Sequence, residues 1–227
     1  MIPQDNPTPT TIKKINAFWN YFQKNEEAIT TAINQQELYS STFQQLEKKL
    51  KSISLRLGFA IRIANNPNHK NTMVFTARGY RKLFGKVNAI VNHAPELKNW
   101  QAEAFIKPIE NLEIFKQGLD KPFTFQDFEI KVSDLYFAIQ DYNIEKKKLK
   151  IIIYYNGYRY HYDNDFLEEA IYIILEHIIG EITLRKNITF HQLAQLPNDT
   201  KNLIQLVHIQ EYIDKLNKLT RKKNFEI

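Results

Sequence analysis

Between Ile12 and Leu50 the apolar residues recur at helical spacing, and from Ile53 the period falls to two. A chain that switches period in this way must build both helices and strands, because each period matches one backbone geometry. Ile12, Ile15, Phe18, Trp19 and Phe22 mark a first helix; Glu26 and Glu27 open a second that runs through Leu38, Phe43, Leu46 and Leu50. ISLRLGFAIRI then alternates. Ile53, Leu55, Leu57, Phe59, Ile61 and Ile63 share one face, and Ser54, Arg56, Gly58, Ala60 and Arg62 the other. After the turn ANNPNHKN, the run NTMVFTA is the returning strand, with Met73 and Phe75 beside the first strand's apolar face.

The pattern returns to helix with Leu83, Phe84, Val87, Ile90 and Val91, stopped before Pro95, and WQAEAFI is the next strand. Residues 108 to 133 show no single period. LYFAIQDY and LKIIIYYNGYRYHY follow as strands, the latter read as a hairpin about Asn156 and Gly157. In that hairpin Tyr155 faces Tyr158, Ile153 faces Tyr160 and Ile151 faces Tyr162. A helix with Phe166, Ala170, Ile171, Ile174, Leu175 and Ile178 inward ends at Gly180. ITLRKNITF is expected to be a last strand or extended link, and a final helix to begin at Asp199 or Thr200. The expected fold is α+β: a largely antiparallel sheet with two N-terminal helices, a middle helix and two C-terminal helices packed on it. It forms one compact domain over 1–227, with 1–10 and 219–227 mobile.

Composition removes whole classes of chemistry. There is no cysteine, which excludes disulfides, thiol catalysis and thiolate metal sites. The six glycines are far apart, so no phosphate-binding glycine loop can be written, and G-x-S-x-G is absent. No apolar run approaches the roughly 18 residues of a membrane span, and the start MIPQDNPTPT lacks a signal pattern, so the cytoplasm is the default location. No pair of histidines has metal-ligand spacing, and neither a metal nor a cofactor is expected.

Charge is the remaining signal. The net charge of +6 lies wholly in the first half, where residues 1–114 hold 15 basic and 9 acidic side chains while 115–227 hold 16 of each. From Lys48 to Pro95 there are ten basic residues and no Asp or Glu. Such a run either meets an anionic partner or is neutralised in space by carboxylates from elsewhere in the chain. Arg56, Arg62, Arg78, Arg81, Lys82 and Lys86 are the candidate partner-binding residues of a non-catalytic module that meets an acidic protein or a polyanion. If Tyr158, Tyr160 and Tyr162 shared their open face, those rings could stack bases and the polyanion would be nucleic acid; packed across a hairpin, they would instead belong to the core. A third possibility is a hydrolase or transferase using carboxylates among Asp163, Asp165, Glu168 and Glu169, which also fit a solvated helix start. No catalytic residue is assigned.

FWNYF at 18–22, GFAI at 58–61, FTARG at 75–79, HAPELKNW at 93–100, AFIKP at 104–108 and IIGE at 178–181 together resemble an uncharacterised family of bacterial α+β proteins. The AP-x-L-x-x-W segment, Ala94, Pro95, Leu97 and Trp100, is the most telling. The resemblance spans most of 12–215 and implies a fold without an activity. Relatives in that family often carry an acidic residue where this chain has Ala60 and Arg78, so carboxylate chemistry at that place would be missing here. Physically, the segment reads as a helix stop followed by a buried anchor for the next strand.

Overall fold

The computed structural model describes residues 7–223 apart from 36, 38, 39, 65, 67, 126, 127 and 165. Where one domain over 1–227 was expected, the chain gathers into two compact units, Met1–Ile106 and Lys107–Ile227. Both mix helix and strand, and their sheets are mostly antiparallel.

In the first unit, α1 (Pro9–Lys24) starts where Thr8 Oγ1 accepts from Thr11 N and Pro9 takes the first helical position. Ile15, Phe18, Trp19 and Phe22 are its buried stripe. The expected second helix is two helices, α2 (Glu26–Asn34) and α3 (Ser41–Ile53). Ser40 makes the break: its hydroxyl accepts from Phe43 N at 3.4 Å as the cap of α3. Leu38 lies outside the described residues.

The alternating run from 53 to 63 is only half strand. Ile53 ends α3, because Leu46, Leu50 and Ile53 continue that helix's buried stripe at four- and three-residue steps. A turn closed by Leu57 N to Ser54 O (3.1 Å) follows, leaving Leu55 81% exposed, and β1 is Gly58–Arg62. It pairs antiparallel with β2 (Asn71–Thr76), Phe59 facing Phe75 and Ile61 facing Met73, so Met73 and Phe75 do lie beside the apolar face of the first strand. A helix α4 (Phe84–Asn92) then crosses to β3 (Trp100–Ala104), which lies parallel to β2. The sheet order β1-β2-β3 makes β1 an edge strand.

The core of this unit is aromatic: Phe18, Trp19, Phe22, Phe75 and Trp100 meet edge to face with centroids 5.1 to 5.7 Å apart. Both indoles are satisfied, Trp19 Nε1 donating to Ile90 O at 2.8 Å and Trp100 Nε1 to Thr30 Oγ1 at 2.9 Å. Leu97 and Trp100 are buried just after α4 ends, so the AP-x-L-x-x-W segment does anchor β3.

The second unit begins with α5 (Glu113–Lys116) and the small ribbon β4 (Phe123–Phe125) and β5 (Phe128–Ile130). Strands β6 (Tyr136–Asn143) and β7 (Lys148–Tyr155) pair antiparallel through the lysine-rich turn. The hairpin expected at Asn156 and Gly157 is absent. Its reason lies in the sheet order β8-β7-β6-β9, in which both sides of β7 are already taken. Tyr155 pairs with Gln195 of β8 (Ile188–Gln195), and the Gln195 side chain accepts from Arg159 N (3.0 Å) and donates to Asn156 O (2.7 Å). That bracket turns the chain into a short helix α6 (Tyr158–His161), and Gly157 has φ −81° rather than the left-handed conformation a hairpin turn needs, although a Cβ there would run into the Tyr155 ring.

Helix α7 (Leu167–Ile179) buries its expected stripe apart from Phe166, which lies just before it and is exposed. Gly180, at φ 78° and ψ 149°, ends it and opens α8 (Glu181–Asn187). The run ITLRKNITF is therefore half helix, with the strand beginning only at Ile188. The last helix starts later than expected. Asp199 Oδ1 merely closes a turn with Lys201 N (3.0 Å), while β9 (Ile204–Gln205) joins β6 and Leu206 N donates to Leu135 O (2.8 Å), so α9 runs from Ile209 to Lys223. Among the described residues four helices, α6 to α9, thus follow the β6–β7 hairpin where two were expected. Of the termini expected to be mobile, 1–6 and 224–227 lie outside the described residues; Pro9 and Thr10 belong to α1, and 219–223 to α9.

Candidate functional site

Gly58 at the start of β1 faces Thr76 at the end of β2. Arg56, two residues before, and Arg78, two residues after, therefore stand at one end of the same ribbon. The Arg56 guanidinium lies over the Tyr80 ring, 4.3 Å from its centroid, a cation–π contact that holds the charge without neutralising it. Arg78 and Gly79 both have positive φ, 48° and 72°, and Arg78 N donates to Thr76 Oγ1 at 2.9 Å. Two left-handed residues in succession fold the chain back on the ribbon end. A Cβ at position 58 would come within 2.8 Å of Arg78 Nε, so the bare glycine is what lets the guanidinium lie there. Arg81 and Lys82 follow in an exposed 3-10 turn, Arg81–Leu83.

The other two expected members behave differently. Lys86 is half-buried and donates to Ile53 O (3.5 Å) at the C-terminus of α3, where the helix dipole favours a cation; Lys14 Nζ does the same for Ser52 O at 2.8 Å. Arg62 stands four residues along β1 from Gly58, about 13 Å away at strand rise. It pairs with Glu103 of β3 at 2.8 Å, its side chain still 58% exposed. The six residues thus resolve into a corner of Arg56, Arg78, Arg81 and Lys82, a helix-end lysine, and a paired arginine at the far end of the strand. None of the four corner residues has a carboxylate partner among the described residues. Elsewhere in the acid-free run, Lys51 pairs with Glu47 at 2.6 Å.

The tyrosines belong to the second unit and share no ribbon face. Tyr158 packs against that unit's core, whereas Tyr160 and Tyr162 are 84% and 68% exposed in α6 and the turn after it. His161 is a packing residue, its ring 5.2 Å from Phe128 and stacked on Tyr155 at 6.3 Å. Asp163, Glu168 and Glu169 are exposed, the two glutamates in the first turn of α7, where the helix dipole favours them; Asp165 lies outside the described residues. Among the described residues no group of three or more His, Asp or Glu is arranged to hold a metal ion.

Periodicity did not reveal the buried polar cluster of the second unit. Glu176 and Glu181 are buried beside Tyr172. Burial first, and then the Glu176 and Glu181 carboxylates, push the Tyr172 phenol well above its ordinary value, against the opposing pull of Arg185; a hydrogen bond with Glu176 adds to the rise. Four residues separate Tyr172 from Glu176, one helical turn, and Glu181 closes the IIGE segment: those were the signals available. Asp120 is also buried, and its Oδ2 accepts from Val132 N (2.9 Å) and Ser133 N (3.3 Å), capping the 3-10 turn Val132–Asp134.

No family model matches this chain, and no match was found among curated proteins or solved structures. Among the described residues no helix is long and apolar enough to cross a membrane.

Proposed function

We propose that this chain is a non-catalytic binding module whose Met1–Ile106 unit docks an acidic protein segment on the corner made by Arg56, Arg78, Arg81 and Lys82. The observation that carries this reading is charge segregated by unit. Met1–Ile106 holds 14 Lys and Arg against 7 Asp and Glu, a net +7, while Lys107–Ile227 holds 17 against 18, a net −1. The corner collects four of those cations, none with a carboxylate partner among the described residues, so their field is available to steer an anionic partner in.

An acidic protein is favoured over nucleic acid by what surrounds the arginines. The expected stacking tyrosines form no common ribbon face, Tyr158 packing on its own unit's core, and Tyr80 already carries Arg56 on its ring. The test is fluorescence polarisation with labelled polyglutamate and, in parallel, labelled single- and double-stranded oligonucleotides, at low and near-physiological salt. Polyglutamate should bind, should weaken as salt rises, and should lose about tenfold or more in affinity when Arg56, Arg78, Arg81 and Lys82 become alanine. Tighter binding to an oligonucleotide, with a steep salt slope, would transfer the assignment to nucleic acid. No binding of either polyanion at low salt overturns it.

A further inference from the structure

We infer that the acidic partner enters as an added strand along the outer edge of β1; this rests on the reading just given and names the form the partner takes. The starting point is the direction of the backbone groups. On β2, Phe75 O accepts from Phe105 N and Asn71 N donates to Asn99 O, so Asn71, Met73 and Phe75 turn their amide groups toward β3. Their opposite numbers on β1, Ile61 and Phe59, therefore cannot bond to β2, because in an antiparallel pair both groups of a residue point to one side. The N–H and C=O of Phe59 and Ile61 face outward from an edge, and no described residue bonds to them.

Charge selects the occupant. Gly58, Ala60 and Arg62 share one face of β1, with Arg78 lying over Gly58 at one end and Arg62 at the other. Cations thus stand at both ends of a five-residue edge, with Ala60 between them; Arg62 holds Glu103 through one Nη2 contact and, 58% exposed, keeps further donors for a second carboxylate. An extended segment laid beside β1 puts alternate side chains on that same face. With acidic residues at its first and fifth positions, one meets Arg62 and the other Arg78, while its second and fourth residues bond through their backbones to Phe59 and Ile61. Main-chain bonds then supply attachment and the arginines supply selection. A second copy of β1 would bring arginines toward arginines in the same place, which disfavours self-pairing.

The probe is a short blocked peptide with the central sequence Glu-Val-Thr-Val-Glu, titrated into the full chain labelled with nitrogen-15. Three comparison peptides accompany it: one with lysine for both glutamates, one N-methylated at both valines, and one N-methylated at threonine. Expected are shifts and slowed hydrogen exchange at the Phe59 and Ile61 amides, affinity at least about tenfold above the lysine peptide, loss on methylating the valines and retention on methylating threonine. Arg62→Ala, an exposed change, should weaken binding several-fold. If the glutamate peptide binds equally well with methylated valines and shifts only residues 55–57 and 77–83, strand addition is overturned while acidic docking stands. Polyglutamate binding without peptide binding likewise overturns strand addition and leaves acidic docking in place. Equal binding of the lysine peptide, or a concentration-dependent dimer through β1, overturns the choice of partner, and failure of both polyglutamate and peptide removes both readings.

Discussion

The two units place their charge in opposite ways. In Met1–Ile106 every buried polar side chain among the described residues is a threonine, and the core closes through aromatic edges and two satisfied indoles. In Lys107–Ile227 the core is aliphatic, built on Ile151, Ile153, Ile171 and Ile174, yet Asp120, Glu176 and Glu181 are buried beside or within it. The formal charges of the whole units differ as well: a net +7 against −1. A unit that keeps all its charge outside leaves it to the surface, whereas one that buries carboxylates must hold them locally; Asp120 is held through Oδ2 by two backbone amides, while its Oδ1 meets no hydrogen-bond partner among the described residues. The difference separates a unit that keeps its charges outside from one that brings carboxylates into its interior.

The largest effect expected is from Trp19→Ala. It removes a buried ring that touches Phe18, Phe22 and Phe75 and leaves Ile90 O without its donor, so stability should fall by about 3–5 kcal/mol in urea denaturation. A loss under about 1 kcal/mol would mean that the aromatic core is not what closes the first unit. Gly180→Ala comes next. At φ 78° and ψ 149° a side chain is strained whatever the space, and a cost of about 1–3 kcal/mol is expected; no change would place the junction of α7 and α8 in a different conformation.

Tyr172→Phe probes the buried polar cluster through pH. The phenol's value is raised on folding, so below the ordinary value of 10.0 both states keep the proton and the shift contributes nothing pH-dependent. Above it the unfolded chain loses the proton while the folded one retains it, and stability falls as pH rises. The variant should therefore show a shallower decline than the parent above pH 10; parallel curves would separate Tyr172 from Glu176 and Glu181. The smallest stability effect is expected at Gly58→Ala, where the new methyl meets a flexible guanidinium at 2.8 Å and Thr76 Cγ2 at 3.2 Å. A stability change of under about 1 kcal/mol should accompany a several-fold loss of polyglutamate affinity, because Arg78 is displaced from the corner. Unchanged affinity would show that Arg78 does not contribute.

How much was legible depends on how local the cause was. Helix α1, β2, α4, β3, β6 and α7 follow from patterns that stay within one element, and Gly180 signalled its helix end correctly. The hairpin failed at Asn156 and Gly157 because the competing partner for β7 came from residues about forty positions on, beyond any local signal. At Ile53 two patterns overlapped, and packing of the α3 stripe prevailed over alternation. The candidate site shows the same division. Which residues are basic was plain, but the six did not form one strip, since Lys86 serves a helix end and Arg62 pairs with Glu103.

By itself the sequence determined the α+β class, the lack of thiol and glycine-loop chemistry, and the concentration of positive charge before Pro95. Composition and periodicity are properties of short stretches, and they survive whatever the chain later touches. Only the tertiary structure decided that β1 is an edge, that Arg78 lies over Gly58, that the tyrosines leave the sheet, and that Glu176 and Glu181 go inside. Each of those depends on which distant segment reaches a place first and fills it, a competition settled by packing and hydrogen bonding between residues far apart in the chain.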